Sequence, residues 1–117
     1  MPISHKSVLL EFCRSLPGAT EDVKWEEHLV FSVGEKMFAM FDVSDAEPFS
    51  LKVDPAVFPV LTQQPGIMPA PYLARASWIR LEHTGVLSRE ALEDLLRESH
   101  ELVAAKLPRR VRERLGI

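Results

Sequence analysis

The sequence predicts a single α+β domain, in which a mostly antiparallel sheet is covered on one face by an N-terminal helix and a long C-terminal helix. Apolar residues recur at helical spacing near both ends of the chain, whereas the segments between them alternate as strands do. Strands that follow one another between helices are typical of α+β proteins. With 117 residues, 46% of them apolar and 26% charged, residues 1–117 fit one globular domain.

The first half of the chain is predicted to contain one helix and three strands. The helix starts after Ser4, which suits an N-cap, and ends at Pro17 and Gly18. The segment that follows is interpreted as a charged turn. The segments "LVFSV" and "MFAMFDV" then form a hairpin through the turn at 34–36, and "FSLKV" forms the third strand.

The second half is predicted to hold a short helix from Asp54 to about Gln64, an irregular proline-rich strap and one further strand at 77–82. Ser88 then caps a long helix, and Pro108 begins a short basic helix that runs to the end. The strap, "QQPGIMPAPYLARAS", contains three prolines, which restrict the backbone of the residues around them.

The formal charge of −3 conceals a basic C-terminal segment. Five basic residues and one acidic residue between 106 and 114 give this segment +4, so the remainder of the chain carries −7. A pI near 5.8 argues against nucleic-acid binding by bulk charge. Any contact with phosphate therefore has to use local clusters of lysine and arginine.

The sequence does not indicate a secreted protein, a membrane protein, a metalloprotein or an enzyme. The start, "MPISHKSVLL", lacks the apolar middle of a signal peptide, and no apolar run is long enough to span a membrane, so a cytoplasmic protein is expected. Cys13 is the lone cysteine, which excludes an internal disulfide and predicts a packed thiol on an apolar helix face. No metal-ligand spacing, nucleophile motif or phosphate loop is present, so we expect no metal, no cofactor and no enzymatic activity.

Strand alternation assigns the residues of the sheet to two faces. The face under the helices is predicted to carry Leu29, Phe31, Val33, Met37, Ala39, Phe41, Phe49, Leu51, Val53, Ile79 and Leu81. The open face is predicted to carry Val30, Ser32, Phe38, Met40, Asp42, Ser50, Lys52, Trp78, Arg80 and Glu82. Aromatic groups beside cations on this face could stack on bases while the cations meet phosphates. Alternatively, these rings pack beneath the strap or form a dimer interface.

Five segments together resemble the MmcQ/YjbR family of small bacterial proteins. They are "LPGATED" with "KW" at 16–25, "VFSVGEKMFAMF" at 30–41, "SLKVDP" at 50–55, "QPGIMPAPYLARASWIRL" at 64–81 and "SHELVAAKLPRR" at 99–110. The likeness covers nearly the whole chain. It implies a frataxin-like, or double-wing, α+β fold and a DNA-binding function.

The leading hypothesis is therefore a non-enzymatic DNA-binding domain. Its predicted contact residues are the cations and flat side chains of the open face, the strap and the C-terminal segment, namely Lys52, Tyr72, Arg75, Trp78, Arg80, Lys106, Arg109 and Arg110. One rival is a module that binds an acidic small ligand or a peptide in the groove between strap and sheet, with Lys52 and Arg80 as anchors. A second rival is a homodimer that uses the open face as its interface.

Overall fold

The sheet of this protein contains six strands, all paired antiparallel, in the order β1-β2-β3-β4-β6-β5. The computed structural model describes residues 4–117. The strands are β1 (Ala19–Lys24), β2 (His28–Val33), β3 (Lys36–Asp42), β4 (Phe49–Lys52), β5 (Ile67–Pro69) and β6 (Trp78–Leu81). The helices are α1 (Lys6–Ser15), α2 (Phe58–Leu61), α3 (Arg89–Ala105) and α4 (Arg109–Leu115). The predicted α+β class, with α1 and the long α3 packed on the sheet, is confirmed.

Two strands were missed by the sequence prediction. The segment interpreted as a charged turn is β1, whose residues Thr20, Glu21 and Asp22 are exposed. The strap contains β5, which pairs with β6. Both strands lie at the edges of the sheet, where a strand needs no continuous apolar face and where proline is tolerated. Their composition therefore does not show the alternation that identifies a half-buried strand.

The β2–β3 hairpin has the predicted short turn, with Gly34 and Glu35 both at positive φ, of 56° and 68°. A bulge interrupts the pairing between Phe31 and Ser32, because Phe31 pairs with Ala39 whereas Ser32 pairs with Met37. Phe38 is the extra residue. Its ring lies in the core, with its centroid 6.3 Å from that of Phe31, so its predicted place on the open face is wrong.

The predicted helix between Asp54 and Gln64 is much shorter in the structure. The α-helical part is α2, with Pro59 in its first turn. The Asp54 side chain accepts a hydrogen bond from the Ala56 amide at 2.8 Å, which forms a local turn ahead of the helix. By contrast, Ser88 caps α3 as predicted, since its hydroxyl accepts from the Ala91 amide at 3.2 Å.

The core lies between one face of the sheet and the two helices α1 and α3. Helix α1 contributes Leu9 and Cys13, and α3 contributes Leu92, Leu96 and Val103. Cys13 is fully buried, as its position among apolar helix residues predicts. Burial raises the pKa of its thiol from 9.0 to about 12, although nearby Arg14 acts in the opposite direction.

We expect native protein to react with a thiol reagent at about pH 8 roughly a thousandfold more slowly than protein unfolded in guanidinium, because the buried Cys13 forms so little thiolate. The measurement is the rate of absorbance change with Ellman's reagent in the two states. The same difference in pKa makes stability depend on pH. The neutral Cys13 thiol contributes to stability below pH 9.0, and this contribution is lost between pH 9.0 and about 12, where the thiol of the unfolded chain ionises and the buried thiol does not. Equal labelling rates in the two states would contradict this account.

Candidate functional site

One end of the sheet brings together residues that are distant in sequence. Strand β3 starts there with Lys36, β4 ends there with Lys52, and β6 starts there with Trp78, which pairs directly with Lys52. This arrangement follows from the antiparallel order, since the start of one strand lies beside the end of its neighbour. The end of α3 reaches the same place.

Contact between Leu107 and the β2–β3 turn holds the end of α3 at this position. A Cβ atom added to Gly34 would lie only 2.6 Å from Leu107 Cδ1, so the leucine occupies the space that a side chain at position 34 would need. Gly34 also has a positive φ, a conformation that favours glycine. The close approach places Lys106, the residue before Leu107, near the ends of the strands.

Ser99 of α3 fixes the position of Lys52. The pairing of β3 with β4 ends at Ala39 and Leu51, one residue before Phe38 and Lys52 would meet. The fully buried Ser99 hydroxyl lies between these two residues: it donates to the Phe38 carbonyl at 2.6 Å and accepts from the Lys52 amide at 3.0 Å. One side chain thus replaces a hydrogen bond of the ladder and ties α3 to both strands.

A pocket of about 310 Å³ opens between this end of the sheet and the end of α3. We call it the lysine pocket. It is lined by Lys36, Met37, Lys52, Trp78, Val103, Lys106, Leu107 and Pro108. The floor is apolar and the charged lining residues are all lysines, so the pocket combines an apolar surface with positive charge.

The electrostatics of Lys52 reflect this crowding of positive charge. Its ammonium group donates one hydrogen bond to the Ala76 carbonyl at 2.9 Å, which leaves two of its N–H groups for other acceptors. Burial lowers the pKa of Lys52, and the charge of Lys106 lowers it further. Within residues 4–117, no carboxylate oxygen lies within 4.0 Å of the ammonium group of Lys36, Lys52 or Lys106.

Further cations extend the positive surface around the pocket. Arg75 lies in a short 3-10 turn, Ala74–Ala76, whose last carbonyl is the one that Lys52 contacts. Arg109 and Arg110 are exposed and follow directly after Pro108 of the pocket. We call this surface the basic end; it consists of Lys36, Lys52, Arg75, Lys106, Arg109 and Arg110. In the described part of the chain, Arg109 alone of these six lies within ion-pair distance of a carboxylate, at 2.9 Å from Glu113.

Tyr72 lies in the strap near the basic end. Its side chain is fully exposed, and its backbone has a φ of 65°, a conformation that is uncommon for a residue other than glycine. Hydrogen bonds from the Trp78 amide to the Leu73 carbonyl and from the Ala70 amide to the Trp78 carbonyl attach the strap to β6. Tyr72 therefore does not close over the sheet, and its ring is available to a partner.

Two of the predicted site residues are placed differently from the expectation. Trp78 is only 4% exposed, so the prediction that its ring presents a flat contact surface is wrong; it forms part of the pocket floor. Arg80 pairs with Ser50 on the open face but lines a separate pocket of about 110 Å³ with His28 and Asp42. It does not join the other cations.

The structure adds Lys36, which the sequence prediction assigned only to the hairpin turn. Its position at the start of β3 places it across the sheet end from Lys52, and no local pattern in the sequence indicates this proximity. A lysine beside a glycine turn is usually a solvated side chain. Only the strand order shows that it shares a pocket with the other two lysines.

Two further findings concern the helices and the metal-ligating side chains of residues 4–117. No helix in this range is both long enough and apolar enough to cross a membrane. The same residues contain no group of three or more His, Cys, Asp or Glu side chains arranged to hold a metal ion.

Comparison with known proteins identifies the family to which this chain belongs. The family model for YjbR matches residues 14–102. A crystal structure of protein DR2400 from Deinococcus radiodurans, a DUF419 domain, is 33% identical with a TM-score of 0.87; the match covers 100% of this chain and 91% of that one. A Pseudomonas syringae protein, 22% identical with a TM-score of 0.69, shares the fold over 84% of this chain and 97% of its own. Among curated proteins, none matches the chain. Because the family model spans most of its length, the chain belongs to the YjbR family.

Proposed function

We propose that the protein is a non-enzymatic DNA-binding protein that contacts backbone phosphates through the basic end. The observation that carries this proposal is that four separate segments of the chain bring six lysine and arginine residues to one end of the sheet. Three lysines line one pocket, and the three arginines lie next to residues of that pocket or of its contacts. Five of the six have no carboxylate partner among residues 4–117. Lysine and arginine that are free of ion pairs can neutralise phosphates and release counterions, which is the main source of affinity for DNA.

The distribution of charge supports the same proposal. Without the six cations of the basic end, the chain has eight basic residues against seventeen acidic ones. The positive charge is therefore concentrated at one end of an otherwise acidic molecule, and such a field orients a protein as it approaches a polyanion. The acidic remainder keeps the protein from coating DNA through its other surfaces.

Phosphate contacts fix the position of a protein on DNA but do not read its sequence. Since the Trp78 ring is buried, it cannot stack on bases. The exposed Tyr72 is the aromatic group of the predicted set that remains available for stacking. We therefore propose binding with little sequence preference, in which Tyr72 contributes when bases are unpaired.

We expect the affinity for a labelled duplex to fall as salt is added, with log K against log salt decreasing by about 0.9 for each phosphate neutralised. The variant in which Lys106 and Arg110 are both replaced by glutamine should bind more weakly and reduce the magnitude of this slope by about two, because two phosphate contacts are lost. The measurement is fluorescence anisotropy at several salt concentrations.

Lys24→Gln is the matched control for this experiment. Lys24 pairs with His28, which pairs with Asp42 at the last residue of β3, so it lies at the end of the sheet away from the basic end. This variant removes the same charge and should leave binding unchanged. Absence of binding at low salt would refute the proposal, and so would an equal loss of affinity in the Lys24 variant.

A further inference from the structure

We infer that the lysine pocket binds a small organic anion that carries a carboxylate, sulfonate or phosphate group on an apolar body. This inference goes beyond DNA binding and does not depend on it. The relevant feature is the combination of an apolar floor with a rim of lysines, whereas the phosphates of a duplex require only an exposed charged surface.

The size of the pocket suits such a ligand. Its volume of about 310 Å³ lies at the lower end of the range of roughly 300–1,000 Å³ that holds small ligands. A DNA duplex cannot enter a pocket of this size and would contact only the exposed lysines at its rim. The pocket therefore selects for a compact molecule.

The floor provides the apolar contact. Trp78, Val103 and Leu107 are 4%, 7% and 6% exposed, and each contributes to the wall of the pocket. A ligand body placed against them would remove further apolar surface from water on both partners. Because these three side chains are already largely buried, most of the gain comes from the apolar surface of the ligand itself.

The rim provides the charge. Lys52 is half-buried and keeps two free N–H groups, while Lys106 lies close enough to lower its pKa and Lys36 faces the same space. The lining contains no carboxylate among residues 4–117, so the mutual repulsion of the lysines is not relieved within the protein. A ligand anion would relieve it by accepting charge-assisted hydrogen bonds from Lys52 and Lys106.

The test uses a matched pair of fluorescent probes. 1-Anilinonaphthalene-8-sulfonate carries a sulfonate, and N-phenyl-1-naphthylamine has the same aromatic body without the charge. The protein carries Trp25→Phe, so that Trp78 is its one tryptophan; Trp25 is 65% exposed and absent from the pocket lining. We expect the sulfonate probe to quench Trp78 and to bind at least roughly tenfold more tightly than the neutral probe, since a single charged hydrogen bond already accounts for that factor.

Charge removal in the pocket should abolish this preference. In the variant with Lys52→Met and Lys106→Met, we expect the affinity for the sulfonate probe to fall at least roughly tenfold, to that of the neutral probe, whereas Lys24→Met should leave both affinities unchanged. Equal affinity of the two probes for the protein with all lysines intact would overturn the inference, and this comparison does not depend on whether the double variant folds. Loss of the preference in Lys24→Met would overturn it as well, because that result assigns the anion to bulk charge.

Discussion

Replacement of Phe41 by alanine lowers the free energy of unfolding by about 3–5 kcal/mol. Phe41 is 1% exposed, and its ring stacks on Phe49 at a centroid distance of 5.0 Å and an interplanar angle of 3°. It also meets the ring of Phe31 edge to face at 5.9 Å. Alanine removes both aromatic contacts and leaves a cavity in the middle of the core, where the sheet backbone prevents its neighbours from closing the gap.

Denaturant unfolding followed by circular dichroism gives the change in stability from the shift of the midpoint. Phe41→Leu keeps much of the volume and should lose clearly less than the alanine variant. Val43→Ala is the control for a position just beyond the same strand, since Val43 is 48% exposed, and it should change stability by no more than about 0.5 kcal/mol. A loss below about 1 kcal/mol for Phe41→Ala would show that the three rings do not form the packed centre of the core.

Replacement of Ser99 by alanine should lower the free energy of unfolding by about 2–4 kcal/mol. The hydroxyl satisfies the Phe38 carbonyl and the Lys52 amide at once, so alanine leaves two buried backbone groups without their partner. The better helix propensity of alanine offsets only a small part of this cost. The effect is unusual for a change from serine to alanine, which on an exposed helix face is nearly neutral.

Hydrogen exchange distinguishes this bridge from simple packing. The Lys52 amide should be protected in the unmodified protein and exchange much faster in Ser99→Ala, because its acceptor is removed. Glu98→Ala, a change at the exposed neighbour on α3, should alter neither stability nor exchange. Unchanged protection of the Lys52 amide in the serine variant would mean that another group accepts its hydrogen bond.

The sequence predicted the parts of the fold that depend on regular periodicity. Alternation assigned Ser50, Lys52 and Arg80 to one face and Leu51 and Ile79 to the other, and the observed register agrees. It failed at Phe38, because a bulge adds one residue without changing the apolar character of the segment. It also failed for β1, since an exposed edge strand of polar residues has the composition of a turn.

The candidate site could be predicted only in part. Cations and a tryptophan beside them in β4 and β6 are visible in the sequence, and Lys52, Trp78 and Lys106 do share one pocket. The sequence left open whether the Trp78 ring is exposed or packed, because the outcome depends on where α3 ends relative to the sheet. Lys36 reaches the pocket because of the order of the strands in the sheet, and no local pattern in the sequence indicates that order.

The strand order also bears on how the chain folds. Strands β1 to β4 pair in the order in which they are synthesised, so each pairing closes a short loop and costs little entropy. The pairing of β4 with β6 requires a much longer stretch of chain to return, and it is this pairing that places Trp78 beside Lys52. The four strands β1 to β4 can therefore pair early, whereas the basic end is assembled only after the closure that brings β6 to β4.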